Sequence, residues 1–241
     1  GGVIMKKRRK LVAMAGAAVL ALSLTACGSI SLNLGSEKSR MEGYVQGYLD
    51  LTYLGKLNKD YQTEMELSEE EAQQQYEEGI QVEVEFFESG IGLIDYPTEE
   101  ITQRLTELYK EIYSHSDYTV GAATKLDSGN YAVEVTVRPI DLMTKVTSDD
   151  FQAIFDQILS DRGITTQEQL EALSEEEYQE FDAVYAEKIV DLLEKELPNT
   201  GNGEAETFTV QIEDDGNIWT PSQDDFNSID LAMIDYSNFG Y

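Results

Sequence analysis

The sequence predicts an α+β fold in which helices cover one face of a curved antiparallel sheet, with a helical insertion between its hairpins. Three observations lead there. Apolar residues recur at helical spacing over the first half of the chain and again over residues 148–197. Two segments with period-two alternation are each joined to a turn tetrapeptide, Asp127-Ser128-Gly129-Asn130 and Asp214-Asp215-Gly216-Asn217. Strands that come in hairpin pairs disfavour a parallel βαβ sheet.

Residues 1–26 are expected to be a cleavable signal, with translation starting at Met5. Lys6, Lys7, Arg8, Arg9 and Lys10 form its basic region, and the uncharged run from Leu11 to Ala26 its apolar region. The run ends Leu24-Thr25-Ala26-Cys27-Gly28, which looks like a bacterial lipobox with Cys27 as the residue that receives lipid. A stop-transfer helix is a weaker reading, because a span needs about 20 apolar residues. An ordinary signal with an incidental cysteine is the other alternative. Cys27 is the chain's one cysteine, so no internal disulfide can form. Diacylation at Cys27 would hold the protein on a membrane by two chains at ~0.8 kcal/mol per buried methylene.

Residues 27–38, rich in Ser, Gly and Asn, are expected to be a flexible tether to one exported domain over 39–241. Met41, Tyr44, Val45, Tyr48, Leu49 and Leu54 predict an amphipathic helix to about Asp60. Ser68 and Glu71 are spaced as a capping box, and Tyr76, Ile80, Val84 and Phe87 continue a second helix from it. Within that stretch Val82-Glu83-Val84-Glu85-Phe86 alternates like a strand, but cap and longer period favour helix. After Pro97, Ile101, Leu105, Leu108 and Ile112 mark a third helix.

The first hairpin runs from Tyr118, Val120 and Ala122 to Tyr131, Val133, Val135 and Val137, and Pro139 either ends it or puts it on a sheet edge. Residues 148–197 return to helix: Phe151, Ile154, Phe155 and Ile158, a break at Gly163, a short turn at 166–172, then a long helix from the Ser174/Glu177 capping box to Pro198. Phe208, Val210 and Ile212 lead to the second hairpin, returning at Ile218-Trp219. Ser222 and Asp225 cap a last helix carrying Phe226, Ile229 and Met233.

Charge narrows the partners. The chain carries 17 Lys and Arg against 47 Asp and Glu, a formal charge of −30. The first 26 residues hold five of the basic and none of the acidic residues, so the mature chain would carry −35. Nucleic-acid binding through a basic footprint is excluded. Repulsion from anionic headgroups should hold the folded part off the bilayer, leaving attachment to the lipid. The acids are spread along helices, which fits a solvated surface better than attraction of calcium or cationic peptides.

Leu24-Thr25-Ala26-Cys27, Tyr44-Val45-Gln46-Gly47-Tyr48-Leu49 with Tyr53-Leu54-Gly55-Lys56-Leu57, and Asp215-Gly216-Asn217-Ile218-Trp219-Thr220-Pro221-Ser222 leading into Phe226 carry a resemblance. On them the chain resembles small uncharacterised lipoproteins of Gram-positive bacteria with a cystatin-like or NTF2-like exported domain. The resemblance implies a cone, a curved sheet wrapped on a long helix, whose pocket holds a ligand, a catalytic group or nothing. Fold alone then supplies no function.

A search for chemistry finds little. His115, the only histidine, lies two residues from Asp117; an acid–base dyad competes there with a plain helix-end residue, and the plain reading weighs more. No usual zinc ligand set exists, and no other metal site or cofactor motif is predicted. Asp214, Asp215 and Asn217 read as a turn, since an EF-hand needs alternating ligands and a closing glutamate. Gly90-Ile91-Gly92 lacks the third glycine of a dinucleotide fingerprint. Trp219 is expected to anchor the core more than to stack on a ligand. Carboxylates are too abundant for any one pair to be singled out.

The expected function is a lipid-anchored protein on the extracytoplasmic face of the cell membrane. It would be a non-enzymatic module for a peptide, an envelope component or a partner protein, with a mostly apolar or aromatic pocket, or an exposed apolar patch, free of converging titratable groups. The alternatives are a carboxylate-dependent envelope hydrolase, which requires buried acids inside a pocket, and a calcium-responsive surface protein.

Overall fold

A computed structural model describes residues 24–25, 36–216 and 218–241. Cys27, most of the expected signal and tether, and Asn217 lie outside the described residues. Helix α1 (Glu37–Leu54) begins on Ser36, whose hydroxyl accepts the Ser39 N–H, so helix starts inside the expected tether. It ends earlier than periodicity suggested. Gly55 adopts φ 63°, and its N–H and that of Lys56 close on the Leu51 and Asp50 carbonyls. A separate short helix, α2 (Lys59–Met65), follows.

Helix α3 (Glu69–Glu85) starts at a complete capping box: Ser68 Oγ accepts the Glu71 N–H at 3.0 Å and Glu71 Oε2 accepts the Ser68 N–H at 2.8 Å. Its alternating stretch is helical and runs on into a π-helical turn, Phe86–Gly90. Helix α4 (Glu99–Tyr113) is capped by Thr98. It carries the apolar stripe read from Ile101 to Ile112.

Strands β1 (Leu24–Thr25), β2 (Asp117–Lys125), β3 (Tyr131–Arg138), β4 (Glu206–Asp214) and β5 (Ile218–Pro221) form one antiparallel sheet in the order β1-β5-β4-β3-β2. β3 is an interior strand, between β4 and β2, and stops before Pro139, so the proline ends the strand and marks no edge. β1 lies ahead of Cys27, so cleavage at the expected site would remove it and leave four strands. A bulge between Val120 and Ala123 bends β2, and Glu42 of α1 accepts the Ala123 N–H at 2.9 Å.

On β3, Tyr131, Val133, Val135 and Val137 are buried, while Glu134 and Arg138 are exposed. One sheet face is therefore covered and the other is open to solvent, as the alternation required. α1 packs on β2 and β3, and α8 (Gln223–Met233) packs on β3 and β4. α3 and α4 lie against α1 and each other. The insertion comprises α5 (Ser148–Asp161), α6 (Gln167–Glu171) and α7 (Glu175–Glu196). It docks as an outer layer, α7 on α4 and α5 on α7. Without it β2 to β5 would be a simple meander. No helix among the described residues is long and apolar enough to cross a membrane.

Candidate functional site

Four helices that share the core also enclose a cavity of about 70 Å³. Helical spacing explains which side chains reach it. Tyr48, Leu51 and Thr52 share one face of α1; Gln75, Tyr76, Gly79, Val82 and Glu83 follow i, i+4 and i+7 along α3; Phe226 and Asp230 stand four apart on α8. Tyr53 and Tyr113, from the last turns of α1 and α4, complete the wall. The Tyr48 and Phe226 ring centres are 4.1 Å apart, and those of Tyr53 and Tyr113 5.3 Å. Tyr76, half-buried, stands with exposed Glu78 near the opening.

Three carboxylates line this aromatic cavity: exposed Glu78, and Glu83 and Asp230 further in. Glu83 is 3% exposed, and its Oε2 accepts the Tyr236 hydroxyl at 3.4 Å; Tyr236 in turn shares a 2.7 Å hydrogen bond with Tyr109. Asp230 Oδ1 accepts the Tyr53 hydroxyl at 3.0 Å. Gln75 contributes a buried amide oxygen without a hydrogen-bond donor among the described residues. Burial raises the Tyr48, Tyr53 and Tyr113 phenols well above their ordinary range. Asp230 adds to this at Tyr48 and Tyr53, and Glu83 at Tyr113. These tyrosines remain neutral donors at physiological pH and are poorly suited to act as bases or nucleophiles.

The site differs from the one expected. The expectation was a pocket or an exposed apolar patch without converging titratable groups, and the cavity between the helices has Glu83 and Asp230 in its lining. A periodicity signal pointed to both. Glu83 lies between Ile80 and Phe87 on the stripe of α3, and Asp230 between Phe226 and Met233 on that of α8. A carboxylate on a buried stripe is far more informative than one on a solvated face.

The residues weighed for chemistry are placed elsewhere. Asp117 faces Arg138 Nε at 4.0 Å, and the His115 carbonyl accepts the Asn202 side-chain amide at 3.0 Å, as befits a helix end. Asp214 and Asp215 accept the Gly216 and Ile218 N–H groups at 2.7 and 2.9 Å, which is turn chemistry. Gly90 closes the π-helical turn against the Phe86 ring. Trp219 packs edge-on against Tyr131, with the Arg40 guanidinium 5.0 Å from its ring centre, an anchoring role. Among the described residues no group of three or more His, Cys, Asp or Glu is arranged to hold a metal ion.

Fold and cavity together describe an α+β protein with a small aromatic, acidic pocket between helices. The chain is similar to the crystal structure of a candidate lipoprotein, ycdA, from Bacillus subtilis subsp. subtilis str. 168, with a TM-score of 0.51 and 18% sequence identity. The similarity covers 80% of this chain and 56% of that one, so the chain spans little more than half that protein's length. At this identity the likeness concerns the fold alone. No protein-family profile matches the chain. No curated protein matches it either.

Proposed function

We propose that the chain is an envelope lipoprotein anchored through Cys27, and that its exported part is a non-enzymatic binding module using the cavity between α1, α3, α4 and α8. The lipobox-like Leu24-Thr25-Ala26-Cys27 supports the anchor, and the fold shared with a candidate lipoprotein agrees with it. The sheet curving over α1 suits a cystatin-like or NTF2-like cone. The binding role rests on the cavity itself. Its volume corresponds to about five waters, too little to place a sugar ring or a peptide unit between the two acids. The Glu83 and Asp230 carboxylates accept the Tyr236 and Tyr53 hydroxyls, and burial holds the Tyr53 phenol protonated, an arrangement suited to orienting a ligand.

A carboxylate-dependent hydrolase is the second reading, and the convergence of Glu83 and Asp230 favours it. Incubation of the purified chain with envelope glycan and peptide fragments separates the two. The binding reading expects the same fragment pattern with the wild type, with Asp230→Asn and with no protein. Turnover that disappears in Asp230→Asn would replace it with the hydrolase. Labelling with a fatty-acid probe should mark the wild type and leave Cys27→Ala unlabelled.

A further inference from the structure

We infer that the open groove between α5, α7 and the C-terminal turn Ser237–Phe239 is a second binding site, and that it takes a neutral N-acetylated sugar. It shares no lining residue with the cavity described above and does not depend on how that cavity is used. The groove encloses about 460 Å³, within the ~300–1,000 Å³ of small-molecule sites. Among the described residues that line it none is charged, although Asp, Glu, Lys and Arg make up 27% of the chain. A neutral concave face on so acidic a protein gives its occupant nothing for carrying a charge.

The lining has an ordered pattern. Phe151 and Phe155 form one i, i+4 row of α5, and Ser148 and Gln152 form the row beside it, so an aromatic strip runs along a polar one. Phe239 lies 5.6 Å from Phe151 and Tyr185 5.8 Å from Phe155, centre to centre, which carries the aromatic surface across the groove. Phe155, Tyr185 and Phe239 are only half-buried and leave ring surface to a ligand. The polar strip is rich in acceptors. Gln152 Nε2 donates to Asp156 at 2.9 Å, and Asn238 Nδ2 donates to the carbonyls of Met143, Thr144 and Val146 at 3.4, 3.0 and 2.8 Å, which leaves both amide oxygens to accept from a ligand. Ser148 and Tyr185 add hydroxyls.

A pyranose has a face of C–H groups, which stack on the electron-rich face of an aromatic ring, and a rim of O–H donors. Along α5 that face meets the phenylalanine row and that rim the Ser148–Gln152 row. An acetamido group matches the remaining wall, its methyl packing on Ile91 and Leu93 while its N–H donates to an amide oxygen. A carboxylate would meet two acceptors and a chain of formal charge −30, and an ammonium would find no carboxylate in the lining. A plain hydrocarbon would cover the Gln152 and Asn238 oxygens and leave them without donors. An extended peptide docks through a run of unpaired main-chain groups, and those of α5 and α7 are engaged within the helices.

The test is calorimetric titration of the full chain, in a polyoxyethylene detergent that carries no sugar, with N,N′-diacetylchitobiose. Parallel titrations use cellobiose, the cationic disaccharide of glucosamine, N-acetyl-trialanine amide and n-hexanol. Saturable single-site binding of the diacetylated sugar is expected, at least fivefold tighter than any of the other four. Phe155→Leu keeps the apolar area but loses the ring face, and should weaken binding at least tenfold. Gln152 is exposed, so Gln152→Met keeps the fold while removing the acceptor, and should weaken binding at least threefold with an unchanged circular-dichroism spectrum. Absence of saturable binding, equal or tighter binding of any of the four comparison compounds, or undiminished affinity in either folded variant overturns the inference.

Discussion

Gly47 lies buried in α1 where Tyr61 crosses it. A Cβ there would sit 2.3 Å from Tyr61 Cγ and 2.4 Å from its Cβ, atoms too near the backbone to swing aside. Gly47→Ala is therefore expected to destabilise by about 2 kcal/mol despite its better helix propensity, which urea denaturation followed by circular dichroism would show. The buried tyrosines make a second prediction. Tyr44, Tyr48, Tyr53 and Tyr113 have phenols raised by burial, while in the unfolded chain they ionise near the ordinary value of 10.0. The folded state thus holds more protons than the unfolded one above that pH, and stability must fall there. Stability should show no tyrosine-linked loss below pH 10 and decline above it, with tyrosinate absorbance appearing together with loss of ellipticity. Titration of these four phenols near pH 10 without unfolding would contradict their burial. At this scale the acids of the cavity were legible as stripe positions on α3 and α8. Their meeting was not, since it needs the crossing of two helices far apart in sequence.

Helix starts were well specified, because a cap is a local device. Thr147, Thr166 and Ser174 each exchange hydrogen bonds with the residue at the third helical position, as Ser68 does. Ser174→Ala should cost about 1 kcal/mol, read as a lower thermal midpoint. Helix ends were less legible: α1 keeps apolar spacing past Gly55, and only the left-handed turn there separates it from α2. How the insertion docks is again a tertiary matter. Asp182 of α7, 4% exposed, accepts the backbone N–H groups of Asp95 and Tyr96 at 3.2 and 2.8 Å, tying down the loop before α4. Asp182→Ala leaves those donors unpaired and should cost about 3 kcal/mol. Hydrogen exchange should accelerate at residues 91–98 first.

For the whole molecule, the proposed lipid anchor makes a plain expectation. Cys27→Ala should give a folded chain that leaves the membrane fraction, assayed by fractionation and blotting. Retention of a signal-cleaved Cys27→Ala chain on the membrane would refute the anchor. The single covered face of the sheet and the depth of the helical layers follow from patterns readable at this scale. Period-two alternation in β3 predicts one buried face, and three stretches of helix before it predict what covers that face.

The sequence by itself determined the helix starts, the two hairpins and the expectation of a lipid site at Cys27, because caps, turns, periodicity and a lipobox-like motif are read over a few neighbouring residues. Only the tertiary structure decided that α7 would lie on α4, that β3 would pair with β4 inside the sheet, and that Glu83, Asp230 and four tyrosines would face one cavity. Those outcomes depend on long-range packing of helix faces, where many arrangements satisfy the same local pattern and the best burial of apolar area selects among them.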